Sequence, residues 1–189
     1  MIKNTDRSKW IGASDTSMLF SNPNTATFKN WWAVKLGLIT NDFTNKYMIA
    51  GTELEHHILD TMNPLIRRDM TFYRPKYRLR VNTDGILDKL LIEIKTTSSP
   101  VSKPSIKYWR QVQSGMFGSK RERAELIYYL MRDENYKNFY LPIDLDKLTT
   151  FKIERDNDWI NNVYLPKEKY IAHCLRKRIY PVDLKAKGE

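Results

Sequence analysis

The sequence predicts a mixed α/β fold in which helices precede and follow a central sheet that carries one inserted helix. Apolar residues recur at helical spacing over residues 46–62 and 105–118. Between these two segments, residues 71–74, 77–81 and 90–96 form short apolar runs bounded by turn residues, a pattern that is typical of strands. This order of elements favours one mixed sheet with helices packed against it.

Two shorter helices are predicted before the sheet. Residues 14–20 form the first, with Ser14 or Asp15 as its N-cap. Residues 26–37 form the second, which ends at Gly37 because glycine readily adopts the left-handed conformation that closes many helices.

The second half of the chain predicts three further strands and a C-terminal helix. The strands lie at residues 126–131, 139–143 and 149–154. Residues 156–179 have helical spacing, and Pro166 either kinks that helix or opens a second one, because proline lacks a backbone N–H. The chain has no internal repeat and no obvious linker, so we expect a single domain over all 189 residues.

The composition indicates a globular protein with a polyanionic partner. The chain is 41% hydrophobic and carries a net charge of +10, with a pI of about 9.6. This charge suits either nucleic acid or an anionic membrane surface. No long basic amphipathic helix supports the membrane surface, and the apolar runs are too short for a transmembrane helix.

The cysteine content predicts a reducing compartment. Cys174 is the only cysteine, which excludes an intrachain disulfide, and its apolar neighbours place it in the core. Residues 1–4 do not open a signal peptide, because no apolar segment follows them. We therefore expect a cytoplasmic protein. The three histidines lack companions at zinc-ligand spacing.

The segment from Asp84 to Lys95 contains the strongest functional signal. Side chains two apart on a strand share a face, so Glu93 and Lys95 lie together while Ile92 and Ile94 point into the core. Carboxylates bind a hard divalent cation through oxygen, and a metal and a lysine together activate water and stabilise charge on a phosphate. The pattern is that of the PD-(D/E)xK nucleases, although the same residues also fit a solvated strand face.

Glu55 is a candidate ligand on the predicted helix 46–62. Ile58, Leu59 and Met62 follow it at helical spacing, so Glu55 lies on or beside the buried face and needs a partner there. An arginine and the metal held by Asp84 and Glu93 are both consistent with this position.

The helix over residues 105–118 combines an apolar stripe with polar and basic positions. Gln111 lies off that stripe, so its spacing favours a surface residue, and contact with the site is the alternative. Basic side chains surround the helix and suit either contact with a phosphate backbone or a solvated face. They include Lys103, Lys107 and Arg110.

Several motifs in one order resemble the phage recombination exonucleases, the branch of the PD-(D/E)xK nucleases that includes lambda exonuclease and the YqaJ-like proteins. The matching segments are WIGASD at 10–15, AGTELE at 50–55, TDG at 83–85, EIK at 93–95, YWRQVQ at 108–113 and IERD at 153–156. Together they span about residues 7–179. The resemblance implies a restriction-endonuclease-like core.

The resemblance also implies roles for individual residues. Asp84, Glu93, Glu55 and the carbonyl of Ile94 would bind the metals. Lys95 would activate or orient the water, and Gln111 would support the site. Arg7 and Ser14 match positions that hold a terminal 5′ phosphate, although only nine residues precede Trp10 in this chain.

The activity implied by the resemblance is 5′-to-3′ degradation of duplex DNA with two Mg²⁺ ions per site, or with Mn²⁺ as a substitute. The product carries a 3′ single strand for an annealing protein in recombination, and the best-known relatives are trimers. A PD-(D/E)xK endonuclease and a non-catalytic DNA-binding module remain alternatives on the residues alone.

Overall fold

The structure is a computed structural model that describes residues 8–40, 45–182 and 184. The prediction for Arg7 lies outside the described residues. Six strands in these ranges form one mixed sheet in the order β1-β3-β4-β5-β6, with β2 paired to β3. The strands are β1 (Ile11–Gly12), β2 (Arg67–Arg74), β3 (Leu79–Leu87), β4 (Leu90–Thr97), β5 (Arg123–Leu130) and β6 (Leu148–Glu154).

Helices flank this sheet as predicted. A 3-10 helix (Ala13–Phe20) is followed by α1 (Ala26–Lys35) and α2 (Lys46–Met62), and α3 (Ile106–Ser119) lies between β4 and β5. Thr25 and Ser105 cap α1 and α3 by accepting hydrogen bonds from backbone N–H groups inside each helix. The C-terminal helix comprises α4 (Asn157–Trp159), a π-helical turn (Ile160–Tyr164) and α5 (Leu165–Lys177).

The two faces of the sheet bury different helices. Leu54 and Ile58 of α2 pack against Ile92 and Ile94 on one face. On the opposite face, α3 packs against β3, β4 and β5. The 3-10 helix, α1 and α5 form a further apolar cluster, which contains the buried Cys174 as predicted.

A fork in the sheet determines where the candidate site lies. Strand β2 pairs along one edge of β3, so β1 and β4 share the other edge. Strand β1 pairs there with Leu79 and Arg80, and β4 pairs from Gly85 onward. The intervening residues 81–84 therefore lie where β1 and β4 diverge.

Three local predictions were wrong. Residues 139–143 form no strand, because Pro142 has no N–H to donate, and their apolar side chains instead pack near α2. Tyr77 ends a short 3-10 turn rather than beginning β3. The first helix starts at Ala13 with Gly12 as its cap, and Asp15 accepts the Gly12 N–H at 2.7 Å.

Pro166 lies in the first turn of α5, in agreement with the prediction that it opens a second helical segment. The backbone stays helical from Asn157 to Lys177, and the N–H of Leu165 bonds to the carbonyl of Ile160 five residues earlier. A π turn immediately before the proline widens the helix where the ring would otherwise crowd a carbonyl. None of the helices in the described ranges is long and apolar enough to cross a membrane.

Candidate active site

Strand β4 places its charged and apolar residues on opposite faces, as the alternation predicts. Ile92 and Ile94 are buried against α2, and Glu93, 6% exposed, contacts Gln111 of α3 on the other side. Burial of an ionised carboxylate requires hydrogen bonds or a cation. The contacts of Glu93 therefore define the site.

Asp84 lies in β3 at the fork and connects β3 to β4 through its side chain. Regular pairing of the two strands ends at Gly85 and Ile92, and beyond it the Asp84 Oδ2 atom accepts the Ile94 N–H at 2.7 Å. The Asp84 carboxylate thus takes the place of a backbone carbonyl of β3, because regular pairing of β3 with β4 has already ended. Burial raises the pKa of Asp84 well above its usual value, and the nearby Glu93 raises it further.

Lys95 connects the acidic residues. Its Nζ atom donates to Glu93 Oε1 at 2.5 Å and to the Ile94 carbonyl at 2.8 Å, and it lies 4.0 Å from Asp84 Oδ2. The ammonium also lies 5.5 Å from the centre of the Tyr108 ring, within cation–π range.

The protonation of Lys95 differs from what a base would need. Burial favours a lower pKa, but Glu93 and Asp84 outweigh it, so the pKa of Lys95 is raised above its usual value. A lysine that remains an ammonium donates hydrogen bonds and positive charge.

The surface position favoured for Gln111 by spacing alone was wrong. Gln111 is half-buried, and its Nε2 donates to Glu93 Oε1, the same atom that accepts from Lys95. Gln113, two residues later, is fully buried and links the Glu154 carbonyl to the Asp156 N–H. The first glutamine supports the site, and the second ties α3 to the end of β6.

Glu55 approaches the same carboxylates from α2. No lysine or arginine forms an ion pair with it among the described residues, so the arginine alternative finds no support there. Burial, with Glu93 second, raises the pKa of Glu55 to about 7. A nearby cation would therefore strongly stabilise its ionised form.

These groups line a cleft of about 590 Å³. Ser14 is exposed at the cleft, on the first turn of the 3-10 helix. Asp15 holds that turn, since it accepts from Trp31 Nε1 at 2.9 Å and pairs with Lys35 Nζ at 2.5 Å. The cleft is lined by Trp10, Gly12, Ala13, Ser14, Thr52, Glu53, Glu55, His56, His57, Asp69, Arg80, Asn82, Thr83, Asp84, Glu93, Lys95 and Gln111.

Solved structures share this architecture. Alkaline exonuclease LHK-Exo from Laribacter hongkongensis matches with a TM-score of 0.66 and 21% identity, over 91% of this chain and 90% of that chain. A structure titled as LHK-Exo in complex with dAMP gives a TM-score of 0.68 and 23% identity over the same shares. A phage-related exonuclease from Haemophilus somnus 129PT gives 0.64 and 17%, over 89% and 94%.

The chain has the fold of these exonucleases. The predicted mixed α/β fold, a central mixed sheet flanked by helices, is confirmed, and these exonucleases share it. No family model matches the sequence, and neither does any curated protein. The exonuclease fold is therefore detected through structure, at identities of 23% or less for these three structures.

Asp69, Arg80 and Asn82 line the cleft, and the sequence analysis did not identify them. The Asp69 Oδ2 atom lies 3.1 Å from the His56 Nε2 atom. The expectation that the histidines lack companions at ligand distance was therefore wrong for His56. Arg80 is 4% exposed and lies four residues before Asp84 on β3. The even spacing of Arg80, Asn82 and Asp84 along a strand was an available signal for a shared face.

The basic residues predicted to bind DNA lie outside the cleft lining. Lys103 and Lys107 are exposed near the start of α3. Arg110 is half-buried, with its guanidinium carbon 3.9 Å from the centre of the Phe20 ring. The two lysines are placed for contact with a long polyanion, whereas Arg110 also serves packing.

The donor set of the site fits a divalent cation. Asp84, Glu93 and the Ile94 carbonyl would offer oxygen ligands at the fork, and Glu55 would offer a further carboxylate from α2. Lys95 donates to two of these oxygens, the Glu93 Oε1 atom and the Ile94 carbonyl, so both already contact a positive charge. Oxygen ligands are those that Mg²⁺ and Mn²⁺ prefer.

Proposed function

We propose that the protein is a metal-dependent 5′-to-3′ exodeoxyribonuclease that degrades one strand of linear double-stranded DNA. The convergence of Asp84, Glu93, Lys95 and Gln111 at the fork of an exonuclease fold carries this proposal. The basic charge of the chain suits the duplex substrate. The dAMP in the LHK-Exo structure is a nucleoside monophosphate, the kind of product such an enzyme would release.

The cofactor in this proposal is Mg²⁺, with Mn²⁺ as a substitute and two ions per site. Asp84, Glu93, Glu55 and the carbonyl of Ile94 would hold them. When bound, the ions lower the pKa of water and neutralise charge on the phosphate and the leaving oxygen.

The side chains then have separate roles in phosphodiester hydrolysis. Water attacks phosphorus, the bond to the 3′ oxygen breaks, and the released oxygen takes up a proton. Lys95 positions the water and offsets negative charge through its ammonium, because its neighbouring acids keep it protonated. Gln111 holds Glu93 in place by its hydrogen bond.

Recognition of the DNA end would involve Ser14 of the cleft lining and Arg7, which lies outside the described residues. Ser14 would donate its hydroxyl to a terminal 5′ phosphate, and Arg7 would supply the cation for that phosphate. Lys103, Lys107 and Arg110 would contact the backbone of the duplex outside the cleft.

The proposed biological role is the production of 3′ single-stranded tails for recombination by strand annealing. A single-strand annealing protein would then be the partner, and a trimer would be the oligomeric form, as in the proteins that the sequence resembles. We expect this activity in the cytoplasm, in a host cell if a phage encodes the protein.

Digestion of end-labelled DNA tests the proposal. Linear duplexes with 5′-phosphate or 5′-hydroxyl ends are compared with a closed circle, with and without Mg²⁺. We expect metal-dependent loss of linear DNA alone, from the 5′ strand and faster with phosphate. Cutting of the circle would replace the proposal with an endonuclease, and intact DNA in every lane would leave a binding module.

A further inference from the structure

We propose that Glu55, His56 and Asp69 form an additional cation site that takes a transition metal such as Mn²⁺ through a histidine nitrogen. One ligand atom from each residue lies within 4.8 Å of the other two. All three side chains are half-buried and line the same cleft as Asp84 and Glu93. A cation could therefore reach them from solvent while remaining partly shielded from it.

Two separate elements bring the three ligands together. Glu55 and His56 are consecutive on α2, and Asp69 belongs to β2. His56 Nε2 lies 3.1 Å from Asp69 Oδ2, so the imidazole edge faces the carboxylate. An imidazole nitrogen and a carboxylate oxygen that face each other at this distance from different elements could both bind one cation with little rearrangement.

The backbone at Asp69 is unusual in a way that places its carboxylate at the cleft. Asp69 has φ of 56°, in the left-handed region, within an otherwise extended strand. Arg68 pairs with Gly85 and Met70 pairs with Thr83, so Asp84 stands opposite Asp69. The pairing of Asp69 with Asp84 is missing from the ladder. A left-handed conformation is unfavourable for a residue with a side chain, and such residues cluster at functional sites.

The charge of the cleft favours another cation. Its lining includes the carboxylates of Glu53, Glu55, Asp69, Asp84 and Glu93. Against these five, the described lining contains two strong cations, Arg80 and Lys95. Burial and the nearby Glu93 together raise the pKa of Glu55 to about 7.

Ligand chemistry separates this site from the one at the fork. Asp84, Glu93 and the Ile94 carbonyl offer oxygen alone, which suits Mg²⁺. An imidazole ligand is instead typical of transition-metal ions rather than of Mg²⁺ and Ca²⁺, and Mn²⁺ is the most weakly bound of that series. The inference rests on the proposed function only through Glu55, which would face both ions.

Pulsed electron paramagnetic resonance of the full chain loaded with Mn²⁺ tests the site, because a coordinated histidine couples its ¹⁴N nucleus to the metal. We expect nitrogen coupling in the wild type and its loss in His56→Ala. Calorimetry should show manganese binding at this site weakened about 10-fold or more in Asp69→Asn. Magnesium binding at the fork should change less than twofold in both variants.

Two further variants make the result specific. His57→Ala is the matched control, since His57 is the next residue and its ring instead faces Tyr140 at 5.9 Å. It should retain the nitrogen coupling. Asp84→Asn should also retain it while losing DNA cleavage, so failure of the nuclease proposal and failure of this site give different results.

A wild type without nitrogen coupling at saturating Mn²⁺ would reduce His56 and Asp69 to a structural hydrogen-bonded pair and overturn the inference. Coupling that persists in His56→Ala would also overturn it. Circular dichroism and thermal unfolding confirm that each variant is folded. If His56→Ala does not fold, loss of coupling in His56→Gln decides the same question.

Discussion

The Lys95 ammonium donates to Glu93 Oε1 at 2.5 Å and shares that oxygen with the Gln111 amide. Two donors from different elements thus converge on one atom of a carboxylate that is 6% exposed. This arrangement fixes Glu93 and keeps Lys95 charged. The candidate site and the local packing are therefore linked through a single oxygen atom.

Lys95→Ala should abolish DNA cleavage and leave duplex binding largely intact. The variant loses the ammonium that positions water and offsets charge, while the exposed basic residues that contact DNA remain. A gel-shift assay measures binding, and single-turnover digestion measures cleavage. Normal turnover in this variant would remove Lys95 from the mechanism. Lys152→Ala, an exposed position on β6, serves as the control and should still cleave.

Gln111→Ala and Gln113→Ala should fail in different ways. Loss of the Gln111 bond to Glu93 should lower kcat about 10- to 100-fold with little change in stability. Loss of the buried Gln113, which satisfies a carbonyl and an N–H, should cost about 1 to 3 kcal/mol in urea unfolding. Equal effects of both variants on stability would argue against a specific role for Gln111.

Ser14→Ala should reduce the preference for 5′-phosphorylated ends. A hydrogen bond to a charged phosphate contributes about 1.5 to 3 kcal/mol, so the ratio of rates on phosphate and hydroxyl ends should fall about 10-fold. Ser17→Ala, on the same 3-10 helix but outside the cleft lining, is the matched control. An unchanged ratio in Ser14→Ala would place the terminal phosphate elsewhere.

Arg7→Ala should lower the same phosphate preference more than it lowers binding to duplex. Its guanidinium would pair with the terminal phosphate, whereas duplex binding draws on many basic residues. Competition between phosphorylated and unphosphorylated duplexes measures both effects. A uniform loss of affinity for both ends would make Arg7 a general backbone contact.

Glu168→Gln should stabilise the protein at alkaline pH. Burial of the Glu168 carboxylate raises its pKa well above the usual value, and Asp15 raises it further. The folded state therefore binds a proton that the unfolded state has lost, so stability falls as pH rises from about 4.5 through the folded pKa. A neutral glutamine removes this loss.

Urea unfolding from pH 5 to pH 8.5 measures the effect of Glu168→Gln. The variant should gain about 1 kcal/mol or more over the wild type at the alkaline end, and the gain should shrink toward pH 5. The exposed Glu134→Gln should change stability by less than about 0.5 kcal/mol at either pH. A pH-independent gain would mean that packing, rather than ionisation, explains the difference.

Gly118→Ala should destabilise the fold, although alanine is normally the better helix former. A Cβ at this position of α3 would overlap the Val81 Cγ2 atom of β3. Such overpacking costs about 1 to 3 kcal/mol. Val81→Ala in the same chain should recover part of the loss. Gly51→Ala, where a Cβ meets Thr96 Oγ1 at 3.6 Å, should instead be neutral or stabilising.

The sequence alone predicted the fold class and much of the candidate site. Periodicity located α2 and α3, since each is long and carries an apolar stripe, and alternation placed Glu93 and Lys95 on one face of β4. Asp84 was identified as a candidate site residue because it shortly precedes that strand in the sequence. These inferences succeeded because a residue's immediate neighbours decide helix and strand periodicity.

Only the tertiary structure decided which distant residues meet. Gln111 contacts Glu93 because α3 crosses the sheet beside β4, and Asp69 meets His56 because β2 lies next to the fork. Residues 139–143 have a strand-like composition but pair with no strand. Strand pairing depends on residues distant in sequence, and Pro142 lacks a backbone N–H to donate. Chain spacing encodes local geometry, whereas the convergence of these groups depends on how the elements pack.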